Sequence, residues 1–142
     1  MEGKFTCQFP GDPKEQNISL NTLAGEVRTH AFTFQPDVQT AYGVDYTDYP
    51  EAIKFQSNAL DKAMSAVVDK ASGKVVFQQD MTFENYPARE FEYVAGGKAN
   101  YSGRVKTIIA DQRVYQLVTV FLTDNPHPED RAFFFRSFKI QK

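Results

Sequence analysis

Along most of this sequence apolar and polar residues alternate at every second position, and the pattern gives way to another period only once. A period of two is the signature of a strand with one face buried. Tyr42, Val44 and Tyr46 share a face in "TAYGVDY", and "EVRTHAFTF" before it reads as a strand too. Val75, Phe77, Met81 and Phe83 share a face in "VVFQQDMTF". In "RVYQLVTVFL" both faces are apolar, with Val114, Val118, Val120 and Leu122 on one and Tyr115, Leu117 and Phe121 on the other. That run is expected to lie centrally in a sheet, covered on both sides.

The break in period falls at residues 57–72. There Leu60, Met64, Val67, Val68 and Ala71, with Ala63 beside them, form a helical stripe. Asn58 is placed to cap this helix, with Asp61 three residues on, and Gly73 is the expected C′ residue. No His, Glu or Asp faces inward from the stripe, which predicts packing against a sheet.

The remaining punctuation is local. "FPGDPKEQ" stops the first run, Tyr86-Pro87 reads as a turn before "AREFEYV", Gly96-Gly97 as a reversal, and Asp111-Gln112 as a tight hairpin. Acidic residues after Pro128 favour a short terminal helix in "EDRAFFFRSF". Phe133, Phe134 and Phe135 cannot all point one way along it. "FKI" can close as a brief edge strand. The order is strands, helix, strands, helix, which gives an α+β fold: a central antiparallel β-sheet flanked by helices, forming one domain over residues 1–142. A chain of 142 residues can bury one substantial core.

Composition limits function. A net charge of −2 and a pI near 5.7, with no cluster of Lys and Arg, remove the electrostatic footprint of nucleic-acid binding. With one cysteine, Cys7, no internal disulfide forms, and no Cys/His cluster suggests a metal site or cofactor. No segment is apolar for long enough to insert in a membrane, and no signal peptide is visible in this chain.

Few residues carry the marks of a site. In "AREFEYV" Glu90 and Glu92 alternate away from Phe91 and Tyr93, as on a solvated face, while a catalytic role needs them desolvated and paired in a cleft. Arg89 falls on the Phe91 side. Its guanidinium either packs over an aromatic ring at the sheet margin or clamps an anionic ligand. Cys7 and His30 offer a conceivable dyad, but no cationic neighbour beyond Lys4 lowers the thiol pKa. No G-x-S-x-G elbow exists, and "AGGKANYSG" joins two strands instead of opening a phosphate-binding helix. Asp48-Tyr49-Pro50 and Asn85-Tyr86-Pro87 repeat a turn; if both lie at one end of the sheet, Tyr46, Tyr49 and Tyr86 form an aromatic rim for a partner or an apolar ligand.

The succession "FPGDPKEQ", "YGVDYTDYP", the lone helix, "YPAREFEY", "GRVKTIIADQRVYQLVTV" and "FFFRSFKI" resembles the PsbP-like fold from Phe5 to Ile140. The resemblance is strongest to the uncharacterised bacterial extracytoplasmic domains of that group. It implies an α/β/α sandwich, an extracytoplasmic setting, and binding or assembly work; it transfers no catalytic residue. The function expected first is therefore a non-enzymatic interaction domain whose partner is another protein. The alternative is a small-ligand carrier with a pocket near Arg89. An enzyme, third, needs Glu90 or Cys7 buried, partnered and shifted in pKa.

Overall fold

Alternation dominates the folded chain as it does the sequence. The computed structural model describes residues 5–22, 25–37, 40–50, 58–95, 101–122 and 128–140. Its elements are β1 (Phe5–Thr6), β2 (Lys14–Thr22), β3 (Gly25–Asp37), β4 (Thr40–Asp48), α1 (Ala59–Lys70), β5 (Lys74–Phe83), β6 (Tyr86–Ala95), β7 (Tyr101–Ala110), β8 (Arg113–Leu122), α2 (Pro128–Ser137) and β9 (Lys139–Ile140). Seven strands form one antiparallel sheet in the order β2-β3-β4-β8-β7-β6-β5, and β1 pairs with β9 in a separate two-stranded ribbon. Two short helices against this much strand make the fold more sheet-dominated than the expected three-layer sandwich.

β8 is the middle strand of the seven, as its two apolar faces predict. One side of the sheet packs Tyr42, Val44, Tyr46, Ala88, Ile108, Tyr115 and Leu117 against Phe134 of α2 and against Phe138. Across the sheet, Phe91, Tyr93, Ala95 and Val105 pack against Val68 of α1. Ala88 and Phe91 are three residues apart on one strand, so the two clusters occupy opposite faces. The three consecutive phenylalanines divide as anticipated: Phe134 is buried, Phe135 half-buried, and Phe133 50% exposed.

Several local expectations are corrected. β2 is a polar edge strand that follows directly on the Pro/Gly stop signal of residues 10–13, where the sequence pattern marks only a turn. The turn between β5 and β6 is at Glu84 and Asn85, both with positive φ (48° and 74°), while Tyr86 and Pro87 already belong to β6. Two successive positive φ values give the primed hairpin turn that matches strand twist. The pairing of β5 with β6 shifts between Val75 and Phe77, which sends Val75 to the α1 side while Met81 and Phe83 face the α2 side.

The ends of α1 also differ from expectation. Asn58 stands at the N-cap but its side chain makes no capping hydrogen bond. At the other end the left-handed residue is Ser72 (φ 54°), not Gly73. Ser72 N–H donates to Asp69 O and Gly73 N–H to Val68 O, which is a Schellman closure. Gly73 serves a different need: a Cβ there would lie 2.9 Å from the Tyr93 ring and 3.0 Å from Val94 O. The Asp111-Gln112 hairpin forms as predicted, with Asp111 at φ 58°. Gly96, Gly97 and Pro126 lie outside the described residues.

Candidate functional site

Cross-strand register organises the α2 side of the sheet in rows. One row runs Phe77, Glu92, Arg104, Thr119, Tyr42, Phe34, and the next runs Gln79, Glu90, Lys106, Leu117, Val44, Phe32. α2 covers only part of these rows. Where it leaves the sheet uncovered a groove of about 460 Å³ opens, floored by Glu90, Glu92, Arg104, Lys106, Thr119 and Phe121 and walled by Arg131, Ala132, Phe135 and Arg136 of α2.

Among the described residues, four cationic side chains and two carboxylates line this groove. Arg104 Nε donates to Glu90 Oε1 at 3.3 Å, and its Nη1 lies 3.5 Å from Glu92 Oε1. The same guanidinium lies 4.6 Å above the Phe77 ring. Arg131 stacks its guanidinium 3.7 Å from the centre of the Phe121 ring. Burial lowers the pKa of Arg131, and the nearby Tyr42 and Glu92 act against that fall. At the floor, Thr119 is fully buried, and among the described residues no protein group hydrogen-bonds its hydroxyl. A buried hydroxyl without a partner is costly, and native structures contain few of them.

Glu90 and Glu92 therefore do not lie on an open solvated face. They alternate away from Phe91 and Tyr93 as predicted, but α2 makes a groove of the face they occupy. Arg89 points to the opposite, α1 side and is 7% exposed. Its Nε and Nη2 donate to both oxygens of Asp80 at 2.5 and 3.1 Å, and Nη1 donates to Asp61 of α1 at 2.5 Å. The bidentate hydrogen bonds from Arg89 hold the Asp80 carboxyl below its ordinary pKa. Two carboxylates already fill the positions that an anionic ligand would take on Arg89.

The two tyrosine turns do share an end of the sheet, since Asp48 pairs with Arg113 and Ala110 with Arg113, next to the start of β6. The side chains nevertheless do not gather into a rim. Tyr46 is buried on the α2 side with Tyr115, Phe5 and His30, beneath the Arg113 guanidinium. Tyr86 packs at the margin of that cluster. Tyr49 lies on the other face, where it lines a second groove of about 540 Å³ with Asp45, Thr47, Gln116 and the alanine face of α1. Burial pushes the Asp45 carboxyl up to about 7, and it raises Tyr49 as well.

Cys7 and His30 have separate partners. Cys7 Sγ contacts Ser137 Oγ and donates to Phe134 O, both at 3.5 Å, and burial raises its pKa, which keeps the thiol protonated. His30 Nδ1 lies 2.7 Å from Asn17 Oδ1. Among the described residues no three His, Cys, Asp or Glu side chains gather in a metal-binding cluster, and no helix is long and apolar enough to cross a membrane.

The solution structure of cyanobacterial PsbP from Synechocystis sp. PCC 6803 is similar over 98% of this chain and 88% of that one, with a TM-score of 0.59 at 10% identity. The fold is PsbP-like. A protein of unknown function from Pseudomonas aeruginosa is 14% identical over 86% of this chain and 78% of its own, with a TM-score of 0.43, a likeness too loose to bear on function. No family model matches the sequence, and no curated protein matches it. The PsbP-like likeness concerns the backbone alone; the groove beneath α2 is described by the residues of this chain.

Thr119 is a groove residue that the sequence expectations do not include. Its signal was present in the inward row of β8, Tyr115, Leu117, Thr119, Phe121, where one polar residue interrupts an apolar series in the central strand.

Proposed function

We propose that the 142-residue chain works as a single PsbP-like domain that binds another protein and performs no catalysis. The observation that supports this reading most directly is the exposed apolar rim beside the α2 groove. Phe77 and Val94, 38% and 37% exposed, flank Glu92 on that side of the sheet, and Val76, 52% exposed, stands next to Phe77 on the edge strand β5. An exposed apolar patch bordered by charged residues is the composition of an interaction surface. Placement outside the cytoplasm belongs to the same proposal and rests on the family likeness; cell fractionation tests it.

A carrier with its ligand on Arg89 is less well supported, because Asp61 and Asp80 already engage that guanidinium. The test of the protein-binding reading is site-specific photo-crosslinking in the native host, with the photoreactive residue at Phe77 or, as a control, at Ser65 on exposed α1. The expected result is one dominant adduct from Phe77 and none from Ser65. Binding of the identified protein, purified, then falls in Phe77→Ser. Equal labelling from both positions, or no defined adduct, counts against the proposal.

A further inference from the structure

The groove of about 540 Å³ on the α1 side of the sheet holds a carboxyl that no described residue engages. Its floor crosses three neighbouring strands, with Asp45 on β4, Gln116 and Val114 on β8, and Ile109 on β7. Asp45 is half-buried and lines the groove, so a ligand entering there can reach it. Among the described residues its carboxyl makes no hydrogen bond or ion pair, and burial raises it to about 7. Its cross-strand neighbour Gln116 donates from Nε2 to Thr107 Oγ1 at 3.4 Å, which leaves the amide carbonyl as a second acceptor. The wall is one edge of α1, where exposed Lys62 and Lys70 stand about two helical turns apart with Ala66 between them.

We infer that this groove binds a small zwitterion, an ω-amino carboxylate, with its ammonium on Asp45 and the Gln116 carbonyl and its carboxylate on Lys62 or Lys70. A simple amine faces the two lysines and a simple acid faces Asp45, so a ligand carrying both charges is matched at both sides of the groove. β4 and β7 flank β8 and so lie two strand spacings apart, about 10 Å. α1 packs through Val68 over the β6 and β7 residues Phe91, Tyr93 and Val105, which sets its lysines across the groove from β4. The two charges of the ligand are therefore held apart by a carbon chain, for which Ala63, Ala66, Ile109 and Val114 give an apolar bed. An ammonium beside Asp45 also supplies the opposite charge that favours the ionised carboxyl. This groove lies across the sheet from the one that holds Glu90 and Glu92, so the inference goes beyond the protein-binding reading and does not depend on it.

The probe is 6-aminohexanoate, titrated into the full chain at pH 8, above the raised Asp45 value, and followed by amide NMR. Hexylamine, hexanoate and glycine are the controls: the first two each lack one charge, and glycine carries both but cannot span the groove. The expected result is saturable shifts at Asp45, Ala63 and Gln116 with 6-aminohexanoate, and binding weaker by roughly tenfold or more for every control, the scale of one charge-assisted hydrogen bond. Asp45→Asn weakens 6-aminohexanoate binding roughly tenfold, and so does a double variant with Lys62→Gln and Lys70→Gln. The lysine variant changes only exposed side chains of α1, so its amide spectrum away from the groove stays that of the parent and the loss reads as a lost contact. No saturable shift, hexylamine or hexanoate binding as tightly as the zwitterion, glycine doing so, or an affinity that either variant leaves unchanged overturns the inference.

Discussion

Arg89 of β6 holds Asp61 of α1 at 2.5 Å while gripping Asp80 of β5 through two hydrogen bonds, so one guanidinium ties the helix to the outer strands of the sheet. The arginine is buried and both carboxylates are largely solvent-exposed, which moderates the strength of each ion pair. Arg89→Ala is expected to cost about 1–3 kcal/mol in urea unfolding, through lost packing as well as lost charge. Asp61→Asn should cost less and act mainly on α1, seen as faster amide exchange in that helix. Unchanged exchange in both variants would show that the tie contributes nothing.

The left-handed Ser72 at the end of α1 carries a steric cost that glycine avoids. Ser72→Gly should therefore raise stability by about 1 kcal/mol, even though it removes atoms and adds no contact. A thermal midpoint that stays level or falls contradicts the Schellman assignment.

Gly103 of β7 pairs with Tyr93 of β6, and a Cβ at Gly103 would come 2.2 Å from the tyrosine ring. Tyr93 is buried and part of the α1-side cluster, so it has little room to retreat. Gly103→Ala should destabilise by about 1–3 kcal/mol, the usual range for overpacking. A Tyr93→Ala, Gly103→Ala pair that is no worse than Tyr93→Ala alone would confirm the clash as the cause.

Asp45 binds its proton more tightly in the folded protein than in the unfolded chain, since burial raises its carboxyl to about 7. A raised folded pKa gives stability that is complete below the ordinary carboxylate value and is lost as pH rises through 7. Asp45→Asn should remove this pH dependence: similar stability to the parent near pH 4, and higher stability at pH 8 by on the order of 1–3 kcal/mol. Parallel stability curves for parent and variant between those two pH values would rule out the shift.

Strand periodicity made much of the fold legible. Tyr42, Val44 and Tyr46 share a buried face, β8 is central, and α1 interrupts the sheet where the period changed. What escaped was information that alternation does not carry. The edge strand β2 has no strong apolar alternation to announce it, and the register shift at Val75 follows from pairing with a neighbour. The tyrosine rim failed on arithmetic already present in the sequence: Tyr46 and Tyr49 are an odd number of residues apart, so an extended chain turns them to opposite faces. The groove was not legible, because the fate of Glu90 and Glu92 depends on where a helix about forty residues later comes to lie.

The ribbon of β1 and β9 also joins segments far apart in the sequence. Gln8 N–H donates to Ser137 Oγ across 129 positions of sequence, and Phe5 pairs with Ile140. A loop of that length is costlier in entropy to close than any hairpin of the sheet, so these contacts are gained after the strands have paired. The expected consequence is that amides of α2 exchange faster than those of the central strand β8, and equal exchange in the two would show that these distant contacts are as durable as the sheet.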